Sequence, residues 1–132
     1  IDVYKPQEIR RVISPDTARR MKDILVLVTE EGTGKLSRVS DFKVAGKTGT
    51  AQKIEPNGAY SHSKYIASFI GFAPADDPLI AIVIIVDEPR PYYFGGVVAA
   101  PVFKRISRDV VNYLKLQKNS HEAFSIAEKN KQ

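Results

Sequence analysis

Apolar side chains recur every three or four residues through the first long segment of the chain, which is the spacing of one helix face. The recurring positions are Ala18, Met21, Ile24, Leu25 and Val28. Ser14 and Pro15 supply a helix start, because serine accepts a hydrogen bond from an unpaired amide and proline suits the first helical position. Gly32 supplies a C-cap. The pattern therefore predicts a helix from Pro15 to Glu31.

Three later segments are predicted to be β-strands. The first runs from Val44 to Gln52 and the second from Tyr65 to Phe72. The polar segment between them, Lys53 to Ser63, predicts a long hairpin loop with its turn at Pro56-Asn57-Gly58. The third, Leu79 to Val86, is a continuous aliphatic run, which is typical of a central strand covered on both faces. We expect three consecutive antiparallel strands.

A last helix is predicted from Val97 to about Leu116, with Pro101 tolerated near its first turn. Its apolar stripe consists of Val102, Phe103, Ile106, Val110, Tyr113 and Leu114. We expect both helices to cover one face of the sheet, which gives an α/β fold class in the form of an α+β sandwich. Residues 1–13 are predicted as a lead-in strand or linker, 14–116 as the domain and 117–132 as a polar flexible tail.

Composition narrows the class of protein. The chain has 132 residues, 43% of them hydrophobic, which suits one domain with one core. The lack of cysteine excludes disulfides and thiolate metal sites. The longest aliphatic run is far shorter than the roughly 20 residues that span a bilayer. The net charge of +5 lies mostly near the C-terminus, where basic residues suit a helix dipole, so nucleic-acid binding is not favoured. The missing initial methionine indicates that the native N-terminus lies elsewhere.

The first strand carries the candidate chemistry. Lys47-Thr48-Gly49-Thr50 places a cation and two hydroxyl groups around a residue with no side chain, so an acyl substrate can come close to the backbone. Such a strand is suited to be one wall of a serine acyl-transferase site. The chain has no credible nucleophile, which indicates that it is part of a catalytic domain and not all of it.

Three segments together carry a family resemblance. They are Val44-Ala45-Gly46-Lys47-Thr48-Gly49-Thr50-Ala51-Gln52, Tyr65-Ile66-Ala67-Ser68-Phe69-Ile70-Gly71-Phe72-Ala73-Pro74 and Gly95-Gly96-Val97-Val98-Ala99-Ala100-Pro101-Val102-Phe103. In this order and spacing the chain resembles the C-terminal part of the transpeptidase domain of class B penicillin-binding proteins. It is most similar to the septal cell-division type, penicillin-binding protein 3.

The resemblance implies a fold and an activity. The fold would be that of the penicillin-binding transpeptidases and serine β-lactamases. The intact protein would be a D,D-transpeptidase that cross-links peptidoglycan stem peptides through an acyl-serine, without metal or cofactor, and that is trapped by β-lactams mimicking D-Ala-D-Ala. Its catalytic domain would lie on the periplasmic side of the bacterial inner membrane, anchored by an N-terminal helix and associated with division proteins of the membrane.

The family uses three motifs: Ser-x-x-Lys with the nucleophile, Ser-x-Asn, and Lys-Thr-Gly. Only the third is expected to function here, because no Ser-x-Asn exists in the chain. Ser61 and Lys64 satisfy Ser-x-x-Lys as text. The chemistry needs the two residues one helical turn apart on a buried helix, whereas Ser61 lies between a turn and a strand. The resemblance therefore predicts that this chain alone is inactive and that the preceding part of the domain supplies the nucleophile.

The resemblance also assigns roles within the third motif. Lys47 matches the lysine that holds the substrate carboxylate and organises proton transfer, and is the predicted catalytic residue. Thr48 and Thr50 match the hydroxyls that bind the carboxylate, and Gly49 lets the ligand approach. The backbone N–H of Thr50 matches one half of the oxyanion hole. The loop Tyr92-Tyr93-Phe94-Gly95-Gly96 has one residue more than the family's usual Tyr-Tyr-Gly-Gly, and its glycines are expected to serve a tight start of the last helix.

Three alternatives stay open or are weakened by the sequence. Gly46-Lys47-Thr48 could end a phosphate-binding loop, but the first glycine of that motif would fall at Asp41. A serine β-lactamase or D,D-carboxypeptidase shares the fold and the motif, although the segments around Tyr65 and Pro101 argue against the β-lactamase. A non-catalytic binding module, pairing through the exposed edge of the motif strand, differs in class.

Overall fold

The computed structural model describes residues 10–129, with side chains through Gln117. Its elements, in chain order, are α1 (Pro15–Glu30), a short 3-10 turn (Lys35–Ser37), β1 (Ala45–Ile54), β2 (Tyr60–Ala73), β3 (Ile80–Asp87), α2 (Gly95–Val98) and α3 (Ala100–Lys129). No helix in this part of the chain is long and apolar enough to cross a membrane.

The three strands form an antiparallel sheet in the order β1-β2-β3, which confirms the predicted hairpin succession. Thr48 pairs with Phe69, and Phe69 pairs with Ile84 on the other side. The β1–β2 hairpin is tighter than predicted, because the strands extend to Ile54 and from Tyr60. The turn closes with a 2.8 Å hydrogen bond from Gly58 N to the Glu55 carbonyl, and Gly58 adopts the left-handed conformation at φ 81°.

The position of the aliphatic run differs from the prediction within residues 10–129, where β3 lies at an edge of the sheet and β2 lies in its centre. Burial alternates along β3: Ile82 and Ile84 are partly buried against the core, whereas Val83 and Ile85 are 56% and 67% exposed. A continuous aliphatic sequence therefore shows that both faces are apolar, but not that both are covered by the residues described here.

The core lies between the sheet and α3. Phe103 of α3 and Phe69 of β2 are fully buried, with ring centroids 4.8 Å apart at a tilt of 54°. Val44, Ala99 and Val111 complete the centre of this cluster. A tilted pair of buried phenylalanine rings stabilises the fold by more than the burial of their apolar area alone.

The expectation that both helices cover one face is wrong. Paired residues on adjacent strands share a face, so Lys47 and Ile70 lie on the face opposite Phe69. Leu25 of α1 borders the same depression as Lys47 and Ile70, whereas Phe103 of α3 packs on Phe69. The two helices therefore lie on opposite faces, with α1 covering only the β1 side.

The ends of α1 follow from local chemistry. Ser14 is the N-cap, and its hydroxyl accepts from Thr17 N at 3.1 Å. The helix ends at Glu30 with Glu31 as C-cap, so Gly32 follows the cap and does not form it. Gly32 has no positive φ; a Cβ there would instead lie 2.9 Å from the Val28 carbonyl oxygen. Close packing, and not left-handed geometry, explains this glycine.

The last helix differs from the prediction at both ends. It is interrupted at Ala99 between α2 and α3, where Pro101 has no N–H to continue the ladder of hydrogen bonds. It also continues to Lys129, so the predicted end near Leu116 is wrong. Residues 117–129 contain no glycine or proline to stop a helix. Residues 10–13 form neither helix nor strand, and 1–9 and 130–132 lie outside the described residues, so the predicted domain division stays a prediction.

Candidate active site

The four motif residues lie consecutively on β1, which pairs with β2 on one side only within the described sheet. Strand alternation places Lys47 and Gly49 on one face, and Thr48 and Thr50 on the other. The Lys47 side chain nevertheless reaches across the free edge of the strand to the Thr48 hydroxyl on the other face. The structure thus brings together all four residues that the sequence singled out.

Along this strand, every second residue directs its backbone N–H and C=O groups toward the free edge. The carbonyl oxygen of Val44 accepts from the Thr29 hydroxyl of α1 at 2.6 Å, and that of Thr48 accepts from Lys47 Nζ at 3.0 Å. Neither oxygen is turned toward β2, so the even-numbered residues direct their polar groups outward. By this alternation the N–H of Thr50 points to the open edge.

Lys47 lies at this edge as an exposed cation. Its Nζ donates to the Thr48 carbonyl and lies 3.5 Å from Oγ1 of Thr48. The side chain thus curls from its own face toward the hydroxyl on the other. This places a positive charge next to a neutral donor, an arrangement suited to a carboxylate.

The two motif hydroxyls are each held by a neighbouring segment. Oγ1 of Thr48 lies 2.9 Å from Oγ1 of Thr33, in the loop after α1. Oγ1 of Thr50 accepts from the backbone N–H of Gly95 at 3.1 Å, which leaves its proton free to donate to a ligand. A partly open cavity of about 300 Å³ adjoins them, lined by Thr33, Lys35, Leu36, Thr48, Thr50, Phe94, Gly95, Gly96 and Val97.

Glycines allow the segments of this wall to approach one another. A Cβ on Gly49 would lie 2.5 Å from Oγ of Ser68, so any larger residue there would force the Ser68 hydroxyl to rotate away. A Cβ on Gly95 would overlap the carbonyl oxygens of Ser68 and Gly49, and one on Gly96 would overlap that of Thr33. Gly95 is also the first residue of α2, in agreement with its predicted place at a tight helix start.

The loop that leads to Gly95 is tied to the far end of the sheet. Tyr93 stacks on Tyr65 of β2 with ring centroids 4.1 Å apart, and its ring centroid lies 4.5 Å from that of Phe94.

Lys53 of β1 donates hydrogen bonds to Glu88 at 2.8 Å and to Asp87 at 2.9 Å. These hydrogen bonds, that to Glu88 foremost, raise the pKa of Lys53.

Both Ser-x-x-Lys matches in the sequence lack the geometry of a nucleophile. Ser61 lies on β2, is only 2% exposed, and its Oγ accepts from the backbone of Ser63 and Lys64. A second match, Ser40 to Lys43, was missed in the sequence; it lies in a non-helical loop, where Oγ of Ser40 donates to Asp41. Neither pair stands one helical turn apart, so neither lysine can take the serine proton.

Thr33 is the site residue that sequence reasoning missed. It lies between Gly32 and Gly34, in the loop that joins α1 to the motif strand and to which the sequence pattern assigns no function. Thr33 and Thr48 are 15 positions apart, and nothing in the local pattern indicates that their hydroxyls meet. Its two flanking glycines, which mark a tight loop, are the available signal.

Comparisons with known proteins identify the fold that carries this site. The family model for the penicillin binding protein transpeptidase domain matches residues 2–108. The chain belongs to this family. The phosphate-binding-loop alternative is thereby excluded, in agreement with Gly46-Lys47-Thr48 lying inside a strand that continues to Ile54.

Among the relatives of this penicillin-binding transpeptidase domain is the probable peptidoglycan D,D-transpeptidase PenA of Neisseria meningitidis, 46% identical over 107 residues, with 80% of this chain and 18% of the relative covered. Stage V sporulation protein D of Bacillus subtilis is also 46% identical, over 101 residues, with 76% and 16% covered. The chain therefore spans about a fifth of the length of these relatives.

Solved structures agree. The transpeptidase domain of Burkholderia pseudomallei penicillin-binding protein 3 superposes with a TM-score of 0.70 at 42% identity, with 80% of this chain and 32% of that chain covered. Penicillin-binding protein 3 of Mycobacterium tuberculosis, in a complex with aztreonam, superposes with a TM-score of 0.69 at 36% identity, with 83% and 26% covered. The α/β fold class predicted from the sequence is confirmed.

Proposed function

We propose that this chain forms the carboxylate-binding wall of a peptidoglycan D,D-transpeptidase that cross-links stem peptides through an acyl-serine. The observations that carry the proposal are that Lys47 Nζ lies 3.5 Å from the Thr48 hydroxyl, and that Thr48 and Thr50 line one cavity at the free edge of β1. A cation with two adjacent donors matches the terminal carboxylate of a D-Ala-D-Ala peptide or of a β-lactam.

The same edge supports a role in the acyl-transfer step. The Thr50 N–H, which points outward by strand alternation, supplies one half of an oxyanion hole for the tetrahedral intermediate. The other half, with the attacking serine, comes from the preceding part of the domain. Because removing a nucleophile abolishes the acyl-enzyme route, this chain alone does not form the intermediate.

The narrower role we propose is septal cell-wall synthesis, on the periplasmic side of the inner membrane and with division proteins as partners. The similarity to penicillin-binding protein 3 transpeptidase domains supports it. A sporulation role is the second candidate, supported by the equal identity to stage V sporulation protein D. A fluorescent fusion of the full-length gene product, followed to the division septum or to the developing spore, separates the two.

A hybrid domain tests the proposed chemistry. The matching segment of the Burkholderia pseudomallei transpeptidase domain is replaced by this chain, and acylation is followed with a fluorescent penicillin and by intact mass. We expect the hybrid domain to be acylated on the serine of the Burkholderia part. Lys47→Ala should slow acylation by about 100-fold, the size of losing a charge-stabilising group at such a site. Lys43→Ala, which removes an exposed lysine just before β1, is the matched control and should not slow it.

Two results would contradict the proposal. A hybrid domain that melts cooperatively but takes no label would exclude the transpeptidase assignment. Equal rates for Lys47→Ala and Lys43→Ala would exclude the role of Lys47. The isolated chain should gain no mass with penicillin; a penicillin adduct on it would identify Ser61 or Ser40 as a nucleophile.

A further inference from the structure

Two other side chains lie within hydrogen-bond distance of the Thr48 hydroxyl. Its Oγ1 lies 2.9 Å from Oγ1 of Thr33 and 3.5 Å from Nζ of Lys47. A hydroxyl has one proton to donate and two lone pairs to accept with. Lys47 can only donate, so it occupies one lone pair of Thr48.

The direction of the Thr33–Thr48 bond decides what remains for a ligand. If Thr48 donates to Thr33, its single proton is used within the protein. If Thr33 donates, both lone pairs of Thr48 are occupied and its proton is left for an acceptor in the cavity. A carboxylate is acceptor-only, so its binding selects the second arrangement.

We propose that Thr33 is a positioning residue: it donates its hydroxyl proton to Thr48 and thereby aims the Thr48 proton at the carboxylate of the ligand. This inference rests on the proposed function, because it concerns the same carboxylate-binding edge of β1. Thr33 acts on the ligand through Thr48 and is not itself a catalytic residue.

The loop that carries Thr33 is tightly packed, which holds the Thr33 hydroxyl next to that of Thr48. The carbonyl oxygen of Thr33 abuts Gly96, where no Cβ would fit. Gly34 is buried, and its N–H donates to the Val28 carbonyl at 3.0 Å. A Cβ on Gly34 would lie 3.3 Å from the Phe69 ring, so the loop also rests on the core. Thr33 is therefore held between the end of α1 and the start of α2.

Acylation of the hybrid domain by two forms of one ligand tests the inference. Thr33→Val removes the hydroxyl and keeps the shape, whereas Thr33→Ser keeps the hydroxyl. With benzylpenicillin, Thr33→Val should be acylated about tenfold more slowly than Thr33→Ser, the size of one hydrogen bond to a charged partner. With benzylpenicillin methyl ester, which has no carboxylate, the two variants should react equally. Thr17→Val, which removes another 2.9 Å hydroxyl–hydroxyl bond far from the site, should lower neither rate.

A loss that is equal for acid and ester would show a merely structural role and overturn the inference. So would a Thr33→Ser variant as slow as Thr33→Val. A further check uses Thr48→Val: adding Thr33→Val to it should cause no additional loss, because Thr33 acts through the missing hydroxyl. Additive losses would contradict this.

A measurement on the full chain separates this inference from the proposed function. Methyl couplings in threonine-labelled chain report the χ1 rotamer of Thr48. We expect one rotamer in the original chain and in Thr33→Ser, and a mixture in Thr33→Val, because two χ1 rotamers are common in strands and the Thr33 hydroxyl would no longer favour one of them. A hybrid domain without acylation would refute the transpeptidase assignment, whereas an unchanged Thr48 rotamer in Thr33→Val would refute the positioning role.

Discussion

Gly46→Ala tests how tightly the motif strand is fitted to the core. Gly46 is buried immediately before Lys47, and an added Cβ would lie 2.6 and 2.7 Å from two atoms of the Phe69 ring. It would also lie 2.8 Å from the carbonyl oxygen of Ile70 on the paired strand. Carbon atoms pack best at about 3.5–4.0 Å, so either β1 or the ring must move by roughly 1 Å.

Neither group can move freely. The Phe69 ring is fully buried, packs on Phe103 at 4.8 Å and lies under the loop at Gly34. Overpacking a filled core costs about 1–3 kcal/mol, and the contact with a backbone oxygen puts Gly46→Ala near the upper end. We expect the free energy of unfolding to fall by about 3 kcal/mol.

A double-mutant cycle identifies the cause. Phe69→Leu alone should destabilise by about 1–3 kcal/mol through lost burial. Because leucine withdraws the clashing atoms, the double variant should be more stable than the sum of the two losses by about 1 kcal/mol or more. Urea unfolding followed by circular dichroism suits this chain, which has no tryptophan.

Gly58→Asn is the control, because that turn glycine has open space around it and asparagine tolerates its left-handed conformation. It should change stability far less than Gly46→Ala. Strict additivity of Gly46→Ala and Phe69→Leu would refute the reasoning, and so would a Gly46→Ala variant as stable as the original chain.

Three further predictions concern the core, the α1–β1 junction and pH. Phe103→Ala should lower the free energy of unfolding by about 3–5 kcal/mol in urea titrations, because the ring is fully buried. Thr29→Val should cost about 1–3 kcal/mol in the same assay, because it leaves the carbonyl oxygen before β1 without its 2.6 Å hydroxyl donor; no loss would contradict that bond. The Ser61 hydrogen bond, with Lys64, lowers the pKa of Glu55. The ionised Glu55 carboxylate therefore stabilises the fold fully above pH 4.5, and this stabilisation is lost as the pH falls through the lowered pKa. In Glu55→Gln, the free energy of unfolding should depend less on pH across that acid range, as measured by urea unfolding at a series of pH values.

The site could be predicted in part from the sequence, since Lys47 to Thr50 are consecutive and local alternation already divides them between two faces. Thr33 and the Gly95 amide could not be predicted, because each reaches β1 from a segment remote in sequence. The lengths of such contacts depend on how loops pack, and periodicity carries no information about that.

Local rules acting over a few residues let the sequence determine the helix start at Ser14, the turn at Gly58, the three strands and the family. Capping, turn chemistry and apolar spacing depend on neighbours in the chain, so they can be read without coordinates. Only the tertiary structure decided that β2 is central, that α1 and α3 lie on opposite faces, and that Thr33 meets Thr48. These features depend on which apolar surfaces face one another, and that choice is made by burial across distant segments of the chain.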